Sequence, residues 1–395
     1  MALKYIDELD LKDKRVMVRV DYNVPYDKEM NITDDTRITA TLPTLNYCLE
    51  NGAKLIIVSH LGRPKGQVKP SLSLKPVAVR LEEILGRAVK FIDTPLGEET
   101  IAFTKNMQSG DIVLFENIRF YPGEEKNDKA LGELLAKHAD VFINDAFAAA
   151  HRGHASNFAV TEFIPTVAAG FLLKNEIEYS EHTIQNAKRP FGAIIGGAKV
   201  SSKLDALNNI VNKVDFLIIG GGMAFTFLKA QGYSIGNSLL EEDLIDSAKE
   251  IMKKAKEKNV TLLLPVDIVG APEFDNESPR GVYAIDSIPD NIIGLDIGPE
   301  SIKLFAEEIK KAKTVIWNGP MGAFEMPNFA TGTNEIAKVL AESHCLSIVG
   351  GGDSVTAVNQ AGVADKITYI STGGGAFLEV LEGKVLPGIA ALDRY

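Results

Sequence analysis

Short apolar runs rich in β-branched residues recur along the chain, and each is followed by a loop and a segment with helical periodicity. This alternation is typical of βα units around a mostly parallel sheet. It predicts strands at 15–20, 54–59, 89–93, 112–115 and 141–144 in the first half, and at 191–195, 216–219, 261–264, 314–317, 346–349 and 367–370 in the second. We therefore expect the α/β class, with two doubly wound, Rossmann-like domains built on parallel sheets.

One segment separates the two series of strands. Residues 171–188, FLLKNEIEYSEHTIQNAK, have the apolar spacing of a single amphipathic helix that ends before Pro190. We predict that this helix joins an N-terminal domain, 1–170, to a C-terminal domain, 189–382. The last residues, 383–395, contain Pro387 and Gly388 and no further strand. We expect this tail to pack back on the molecule, with the N-terminal domain as a candidate surface.

Length and charge narrow the class of protein. A chain of 395 residues fits two to three domains of about 150 residues each. Lys plus Arg number 42 and Asp plus Glu 53, and the formal net charge of −11 disfavours nucleic acid and anionic membranes as partners. Cys48 and Cys345 lie far apart and are typical of a reducing compartment, which predicts a cytoplasmic protein. We expect neither secretion nor membrane insertion, because no apolar run reaches the ~20 residues that span a bilayer.

The loops of the first half carry charged and polar residues where the predicted strands end. Ligands of parallel α/β sheets bind at this edge. A single arginine is most simply a solvated surface residue, and His60 is either a packed loop residue or a ligand contact. Several arginines together instead predict a pocket for a small polyanion, because guanidinium groups bind phosphate and carboxylate oxygens bidentately. The candidates are Asp21, Asn23, Arg37, His60, Arg63, Arg119 and Arg152.

Glycine takes the same positions in the second half. Runs at 196–197, 220–222, 350–352 and 373–375, and the Asn318-Gly319-Pro320 loop, each follow a predicted strand. One such loop needs only a tight turn as its explanation, but five in one sheet predict a nucleotide site, because glycine lets backbone N–H groups approach phosphates closely. Lys199 and Lys203 lie on the first of these loops and the helix that follows it, four residues apart, which places both ammonium groups on one face.

Asp353 follows the last residue of the 350–352 glycine run. It is placed either as a Mg²⁺ ligand or as the N-cap of the next helix, and the two roles are compatible. The chain has no GxxxxGK[ST] motif and no HRD or DFG motif, which excludes P-loop enzymes and protein kinases. The absence of GxGxxG at the start of a helix with an acid about 20 residues beyond it disfavours a nicotinamide dehydrogenase.

The motifs as a set are similar to those of the phosphoglycerate kinase family. They are VRVDYNVP, SHLGRP, FENIRF, NDAF with HRGHAS, GGAKVSSK, GGGMA, LDIGP, WNGPMGAFE, GGGDS and STGGGA, and they run through both halves of the chain. The resemblance implies reversible phosphoryl transfer between 1,3-bisphosphoglycerate and ADP, giving 3-phosphoglycerate and ATP, in glycolysis and gluconeogenesis. It also implies a monomer with hinge closure, an N-terminal glycerate domain, and a C-terminal domain for Mg²⁺ with ATP or ADP.

The resemblance also assigns roles to individual residues. Arg37 and Lys199 would contact the transferring phosphoryl group as catalytic residues, and Asp353 would bind Mg²⁺. Other contacts to 3-phosphoglycerate would come from Asp21, Asn23, His60, Arg63, Arg119 and Arg152. Contacts to the nucleotide would come from Gly197, Ala198, Lys203, Gly221, Gly294, Asn318, Pro320, Glu325, Gly351, Gly352, Asp353 and Ser354.

The implied reaction needs no general base, because its nucleophile toward ATP is a substrate carboxylate that is ionised at neutral pH.

Two places depart from the family pattern: Ala148-Ala149-Ala150, where a glycine and a hydroxyl residue are usual, and Phe377, where a small hydroxyl residue is common. An alternative function is a catalytically weak homologue that binds nucleotide and anion as an interaction protein. The presence of Arg37, Lys199 and Asp353 in one chain argues against it.

Overall fold

A computed structural model describes residues 3–393, and within this range the chain divides into two compact units. The first unit contains the chain up to Glu178 together with the segment from Val385 onward, and the second is Tyr179–Lys384. Residues 1, 2, 394 and 395, which the predicted N-terminal domain and tail include, lie outside the described residues. Between residues 3 and 393 no helix combines the length and apolar character needed to cross a membrane.

The first unit is built on a six-stranded sheet with the order β3-β4-β2-β1-β5-β6, in which every pairing is parallel. The strands are Arg15–Arg19 (β1), Lys54–Val58 (β2), Lys90–Ile92 (β3), Ile112–Phe115 (β4), Val141–Asn144 (β5) and Thr166–Ala169 (β6). All residues of β4 and β5 are buried, as in strands covered on both faces. The parallel α/β prediction is confirmed for this unit, although β6 was missed because it is short and follows Pro165.

Helices connect these strands. They are Thr36–Thr39 (α1), Leu42–Glu50 (α2), Lys75–Leu85 (α3), Glu98–Lys105 (α4), Lys129–Ala136 (α5), Phe147–Ala150 (α6) and Phe171–Glu176 (α7), with 3-10 turns at Ile6–Glu8, Pro70–Leu72, Ile118–Phe120 and Ala159–Glu162. The apolar faces of α2 and α3, including Leu45 and Leu81, pack in one cluster with alternate residues of β1 and β2, such as Val18 and Ile57. This packing fixes the strand ends from which the polar loops leave.

The second unit repeats the architecture with the strand order β15-β14-β13-β7-β8-β9, again all parallel. The strands of this sheet and of the small sheet described next are Phe191–Ile195 (β7), Phe216–Ile219 (β8), Thr261–Leu263 (β9), Asp267–Ala271 (β10), Gly281–Ala284 (β11), Ile293–Ile297 (β12), Thr314–Asn318 (β13), Leu346–Val349 (β14) and Tyr369–Ile370 (β15). The helices are Thr183–Asn186 (α8), Leu204–Ile210 (α9), Ala224–Ala230 (α10), Ile245–Glu257 (α11), Pro299–Ile309 (α12), Thr331–Glu342 (α13), Gly352–Gln360 (α14) and Gly375–Leu381 (α15), with 3-10 turns at Glu242–Leu244, Pro327–Phe329 and Ala364–Lys366. The fold class is confirmed in both units.

A small antiparallel sheet, in the order β11-β10-β12, was not predicted. Its strands contain glycine and aspartate, which are unusual in strands. Two of the aspartates instead cap helices. Asp267 accepts hydrogen bonds from Glu300 N and Ser301 N at the start of α12, and Asp296 accepts one from Gly332 N at the start of α13.

The segment 171–188 is not the single α-helix that the sequence predicts. It forms α7, then a π-helical stretch at Ile177–His182, then α8, which ends at Asn186. The wider turns of a π-helix displace the apolar faces that a period of 3.6 residues would align. Helix α8 ends because Ala187 has left the helical conformation, with ψ 134°, two residues before the position that Pro190 restricts.

The C-terminal segment contains the short helix Pro387–Ala390 (α16), which packs against α6 within the first unit. Asn144 Nδ2, at the end of β5, donates a hydrogen bond to Gly388 O at 3.1 Å. A Cβ atom on Gly388 would lie 2.9 Å from Ala150 Cα, so only glycine permits this approach. The contact connects α16 to the turn that leads to Arg152.

We expect Gly388→Ala to destabilise the first unit, because the added methyl group would meet the Ala150 backbone. The loss should be about 1–3 kcal/mol in the free energy of unfolding, seen as a lower midpoint in urea. Gly153→Ala is the control, since Gly153 has no positive φ and its Cβ would make only ordinary contacts, at 3.7 Å from Phe158 and Pro387. Superimposable unfolding curves for the two variants would contradict the tight packing of α16.

Candidate functional site

Arg37 and Asp21 form an ion pair beyond the end of β1 in the first unit. Arg37 Nη1 lies 2.6 Å from Asp21 Oδ2. Asp34 fixes the start of α1, which carries Arg37, because its Oδ1 accepts hydrogen bonds from the N–H and the hydroxyl of Thr36. The Arg37 side chain remains 39% exposed, so part of its guanidinium group is available to an anion.

His60 is buried beside this pair. Its Nε2 lies 4.0 Å from Asp21 Oδ1, and its Nδ1 lies 3.3 Å from Arg19 Nη2. Burial lowers the pKa of His60 well below its usual value; Asp21 opposes this shift, and the guanidinium groups of Arg19, Arg119 and Arg37 add to it. His60 is therefore a neutral hydrogen-bonding group at pH 7. Burial would raise the pKa of Asp21, but the charges of Arg37 and Arg19 and the hydrogen bond from Asn23 N hold it below its usual value.

Asn117 joins the loops that follow β2 and β4. Its fully buried amide accepts hydrogen bonds from Leu61 N and Arg119 N, both at 3.1 Å, and donates to Leu61 O and Leu72 O at 2.7 and 2.9 Å. Every donor and acceptor of the amide is used. The neighbouring loops are therefore held in one conformation.

The loop at Gly62 brings further candidates together. Gly62 N donates to Asn23 Oδ1, and Gly62 O accepts from Arg119 Nη1, both at 2.8 Å. Arg63 is the next residue, and its side chain is exposed, as is that of Arg152. Neither side chain makes a hydrogen bond or ion pair with the described residues. The structure thus connects Asp21, Asn23, Arg37, His60 and Arg119, and leaves Arg63 and Arg152 free of such contacts.

A buried network behind this cluster was missed by sequence reasoning. Arg19 is fully buried, and its Nε donates to Ser156 Oγ at 2.8 Å. Ser156 donates from its N and Oγ to the carboxylate of Glu124, at 2.9 and 2.6 Å, and Arg19 Nη2 lies 4.0 Å from the same carboxylate. His154 Nδ1 is 3.8 Å from Glu124. The signal in the sequence was a charged residue ending the otherwise apolar strand RVMVR.

The second unit contains a cavity of about 630 Å³ at the loops that follow its strands. Seven residues predicted from the sequence line it: Gly197, Ala198, Gly221, Gly294, Pro320, Glu325 and Asp353. Gly221 has φ +69°, and a Cβ there would lie 2.5 Å from Gly197 O, so this wall requires glycine. The cavity also has apolar walls, formed in part by Leu239, Phe274 and Ile268.

Lys203 and Asn318 connect three loops beside the cavity. Lys203 Nζ donates to Asn318 Oδ1, and Asn318 Nδ2 donates to Gly350 O at 2.7 Å. Ser354 Oγ accepts from Gly319 N at 2.6 Å. Burial lowers the pKa of Lys203, and the charges of Asp353 and Glu382 oppose this shift. The predicted residues Lys203, Asn318 and Ser354 therefore lie together, next to the glycines 350–352.

The helical argument for Lys199 and Lys203 was wrong. Helix α9 begins at Leu204, so the two lysines lie on a turn, closed by hydrogen bonds from Lys203 N to Val200 O and from Ser202 Oγ to Lys199 O. The serines at 201 and 202 favour such local bonding over a helix. Lys203 points to Asn318, whereas Lys199 is exposed.

Asp353 is not the cap of α14. The N-cap is Gly351, without a side-chain capping bond, and Asp353 lies in the first turn as an exposed residue that lines the cavity. Within residues 3–393, no group of three or more His, Cys, Asp or Glu side chains is placed to hold a metal ion. Mg²⁺ often binds one carboxylate together with substrate phosphates, so the arrangement fits a metal that arrives with a nucleotide.

Two further features were missed or left open. Asp296 lies in the cavity wall, and burial raises its pKa to about 7, while the N–H groups of Gly332 and Ile297 oppose that shift. Phe377 is fully buried, and a Cβ on Gly350 would lie 2.3 Å from its ring. The aromatic ring therefore supports the glycine loop 350–352 from beneath.

Comparisons with known proteins agree over nearly the whole chain. The family profile described as "Phosphoglycerate kinase" matches residues 6–384. Phosphoglycerate kinase from Pelobacter propionicus is 54% identical over 394 residues, covering 100% of this chain and 99% of the relative. The solved structure of phosphoglycerate kinase from Coxiella burnetii matches with a TM-score of 0.92 and 42% identity, covering 99% of both chains. The structure of phosphoglycerate kinase from Pyrococcus horikoshii OT3 matches with a TM-score of 0.84 and 32% identity, covering 99% of this chain and 98% of that chain. These matches assign the chain to the kinases. More narrowly, it belongs to the phosphoglycerate kinase family.

We expect the His60 imidazole to stay neutral as the pH falls from about 7.5 to about 5.5, because burial and three guanidinium groups disfavour its charged form. Nuclear magnetic resonance of the imidazole nitrogens measures this, with the His60 signal identified by its loss in His60→Gln. The unfolded chain takes up this proton near pH 6.5, so the group contributes stability that is lost as the pH falls below that value. A titration midpoint near 6.5 in the folded protein would contradict the buried environment.

Proposed function

We propose that the protein catalyses reversible phosphoryl transfer between 1,3-bisphosphoglycerate and ADP, giving 3-phosphoglycerate and ATP, as a step of glycolysis and gluconeogenesis. The formal description is ATP:3-phosphoglycerate 1-phosphotransferase. The observation that carries the proposal is the cavity of the second unit. Seven residues that the sequence assigns to a nucleotide site line this one cavity. A coupled assay for ADP formation from ATP and 3-phosphoglycerate tests it directly.

The nucleotide occupies the cavity of the second unit in this proposal. The apolar walls contact the base, and Glu325 binds the ribose. The loops 197–199 and 350–354 bind the phosphates through backbone N–H groups. Lys203 supplies a positive charge beside them. Its hydrogen bond to Asn318 holds the ammonium group in place before the nucleotide arrives.

The basic cluster of the first unit binds the glycerate. Arg63 and Arg152, which are exposed and unpaired within the described residues, are available to the phosphate of 3-phosphoglycerate. Asn23 and Arg119 are held by Gly62 and complete the pocket, and Asp21 orients Arg37 through their ion pair. His60 contributes a neutral imidazole.

The reaction proceeds by direct in-line transfer. The substrate carboxylate is already ionised, so the protein orients the reacting groups and stabilises the charge on the transferring phosphoryl group. Arg37 and Lys199 perform this second task from different units, which is why we include hinge closure in the proposal. Asp353 would hold Mg²⁺, which neutralises charge on the nucleotide phosphates when it is bound. We propose a monomer in the cytoplasm, in keeping with a net charge of −11 and two isolated cysteines.

Arg37→Ala should lower kcat by roughly 10²-fold or more and change the KM for 3-phosphoglycerate much less. The reason is that Arg37 serves the charge of the transition state, while Arg63, Arg119 and Arg152 still hold the substrate anion. Steady-state kinetics measure both constants. Arg87→Ala, at an exposed arginine away from the cluster, is the matched control and should retain wild-type kinetics. A variant whose whole loss lies in KM would contradict the role given to Arg37.

Asp353→Asn should weaken ADP binding only when Mg²⁺ is present, because it replaces an anionic oxygen ligand by a neutral one. Calorimetric titration of ADP with and without Mg²⁺ measures the difference. Asp365→Asn, at an exposed acid of the same unit, is the control. If the gain in affinity due to Mg²⁺ is the same in Asp353→Asn as in the wild type, Asp353 is not a ligand.

A further inference from the structure

Glu241 contacts the turn that carries both lysines of the proposed nucleotide site. Its carboxylate accepts two hydrogen bonds from a single residue, Ser201: one from the hydroxyl at 2.5 Å and one from the backbone N–H at 3.1 Å. Ser201 lies midway between Lys199 and Lys203. The position of this turn therefore depends on a side chain 40 residues further along the chain.

The two ends of the turn are held differently. Lys203 is fixed by its hydrogen bond to the buried Asn318. Lys199 is exposed, and its side chain makes no hydrogen bond or ion pair with the described residues. Its backbone carbonyl accepts only the hydroxyl of Ser202, a residue of the same turn. Lys199 thus lies between two anchored residues: Gly197, whose N–H donates to Pro320 O and whose C=O accepts from Met223 N, and Ser201, which is bonded to Glu241.

Glu241 also belongs to the segment that forms one wall of the cavity. Asn237 and Leu239 of this segment line the cavity, and Glu241 N donates to Thr226 Oγ1 at 3.2 Å, on the buried face of α10. Gly222 lies next to both Leu239 of this segment and Ala198, which precedes the lysine turn, because a Cβ on Gly222 would lie 2.8 Å from Leu239 Cδ1 and 2.9 Å from Ala198 O. A base that fills the cavity therefore contacts a segment that is hydrogen-bonded to the turn through Glu241.

We propose that Glu241 is a positioning residue, which couples occupancy of the base cavity to the placement of Lys199 through the two hydrogen bonds to Ser201. The inference rests on the proposed function, since the base must lie in this cavity and Lys199 must serve the transferring group. The bound base immobilises the segment 237–241, and the carboxylate passes that restraint to the lysine turn. Nucleotides that fill the cavity poorly leave Lys199 less well placed, so the contact favours productive transfer from a fully seated nucleotide.

The test compares Glu241→Gln, Ser201→Ala and the double variant with the wild type. Glu242→Gln is the matched control, because it removes the same charge from the adjacent exposed acid, whose side chain makes no hydrogen bond or ion pair within the described residues. The first measurement is amide hydrogen exchange in the turn 199–203 with and without Mg²⁺ and ADP. It reports the coupling without relying on catalysis.

We expect ADP to slow exchange in the turn of the wild type and of Glu242→Gln, and to lose this effect in Glu241→Gln and Ser201→Ala. Each of these two substitutions should lower kcat about tenfold, with the Kd for ADP within about threefold of wild type. The double variant should be no slower than Glu241→Gln alone, because Ser201→Ala acts only through the hydroxyl bond to the same carboxylate.

Retained protection of the turn in Glu241→Gln would overturn the proposal. So would an unchanged kcat, a loss confined to the Kd for ADP, or losses that multiply in the double variant. A wild-type protein that shows the ADP-dependent protection but no phosphoryl transfer would reject the proposed function and leave the coupling in place.

Discussion

Parallel strands end with backbone groups that the sheet does not pair, and in both units a buried asparagine amide bonds these groups. Asn117 bridges the loops after β2 and β4, and Asn318 bridges the turn at Lys203 and the loop at Gly350. An amide suits this task because it offers donors and acceptors at once and carries no charge that burial would penalise. Among the candidate site residues, His60, Arg119, Lys203 and Gly351 lie on or next to the segments that these two side chains hold.

The basic cluster of the first unit shows how positive charge can be concentrated at one sheet edge. Glu124 is fully buried close to Arg19, and Asp21 is paired with Arg37, so anionic groups lie among the guanidinium groups. His60 avoids adding another charge because its burial keeps it neutral. Arg63 and Arg152 are exposed and have no ion-pair partner among residues 3–393, which leaves the positive potential where a ligand can reach it.

Sequence periodicity predicted the two parallel sheets because buried central strands are continuous apolar runs, such as VFIN in β5 and FLII in β8. It missed β10 and β12, whose aspartates cap helices, and it extended one α-helix through the π-helical stretch at 177–182. The candidate residues at strand ends could be read from the same pattern. Arg19, Glu124 and Glu241 could not, because their partners are distant in sequence and only the fold brings them together.

The return of the C-terminal segment to the first unit has a consequence for biosynthesis. Asn144 and α6 are synthesised early, but Gly388, which they contact, follows Asn144 by 244 residues in the chain. The second unit, formed by one continuous stretch of chain, lies wholly between them in the order of synthesis. During elongation the first unit therefore exposes the surface of α6, and its packing is completed only after the whole second unit has been synthesised.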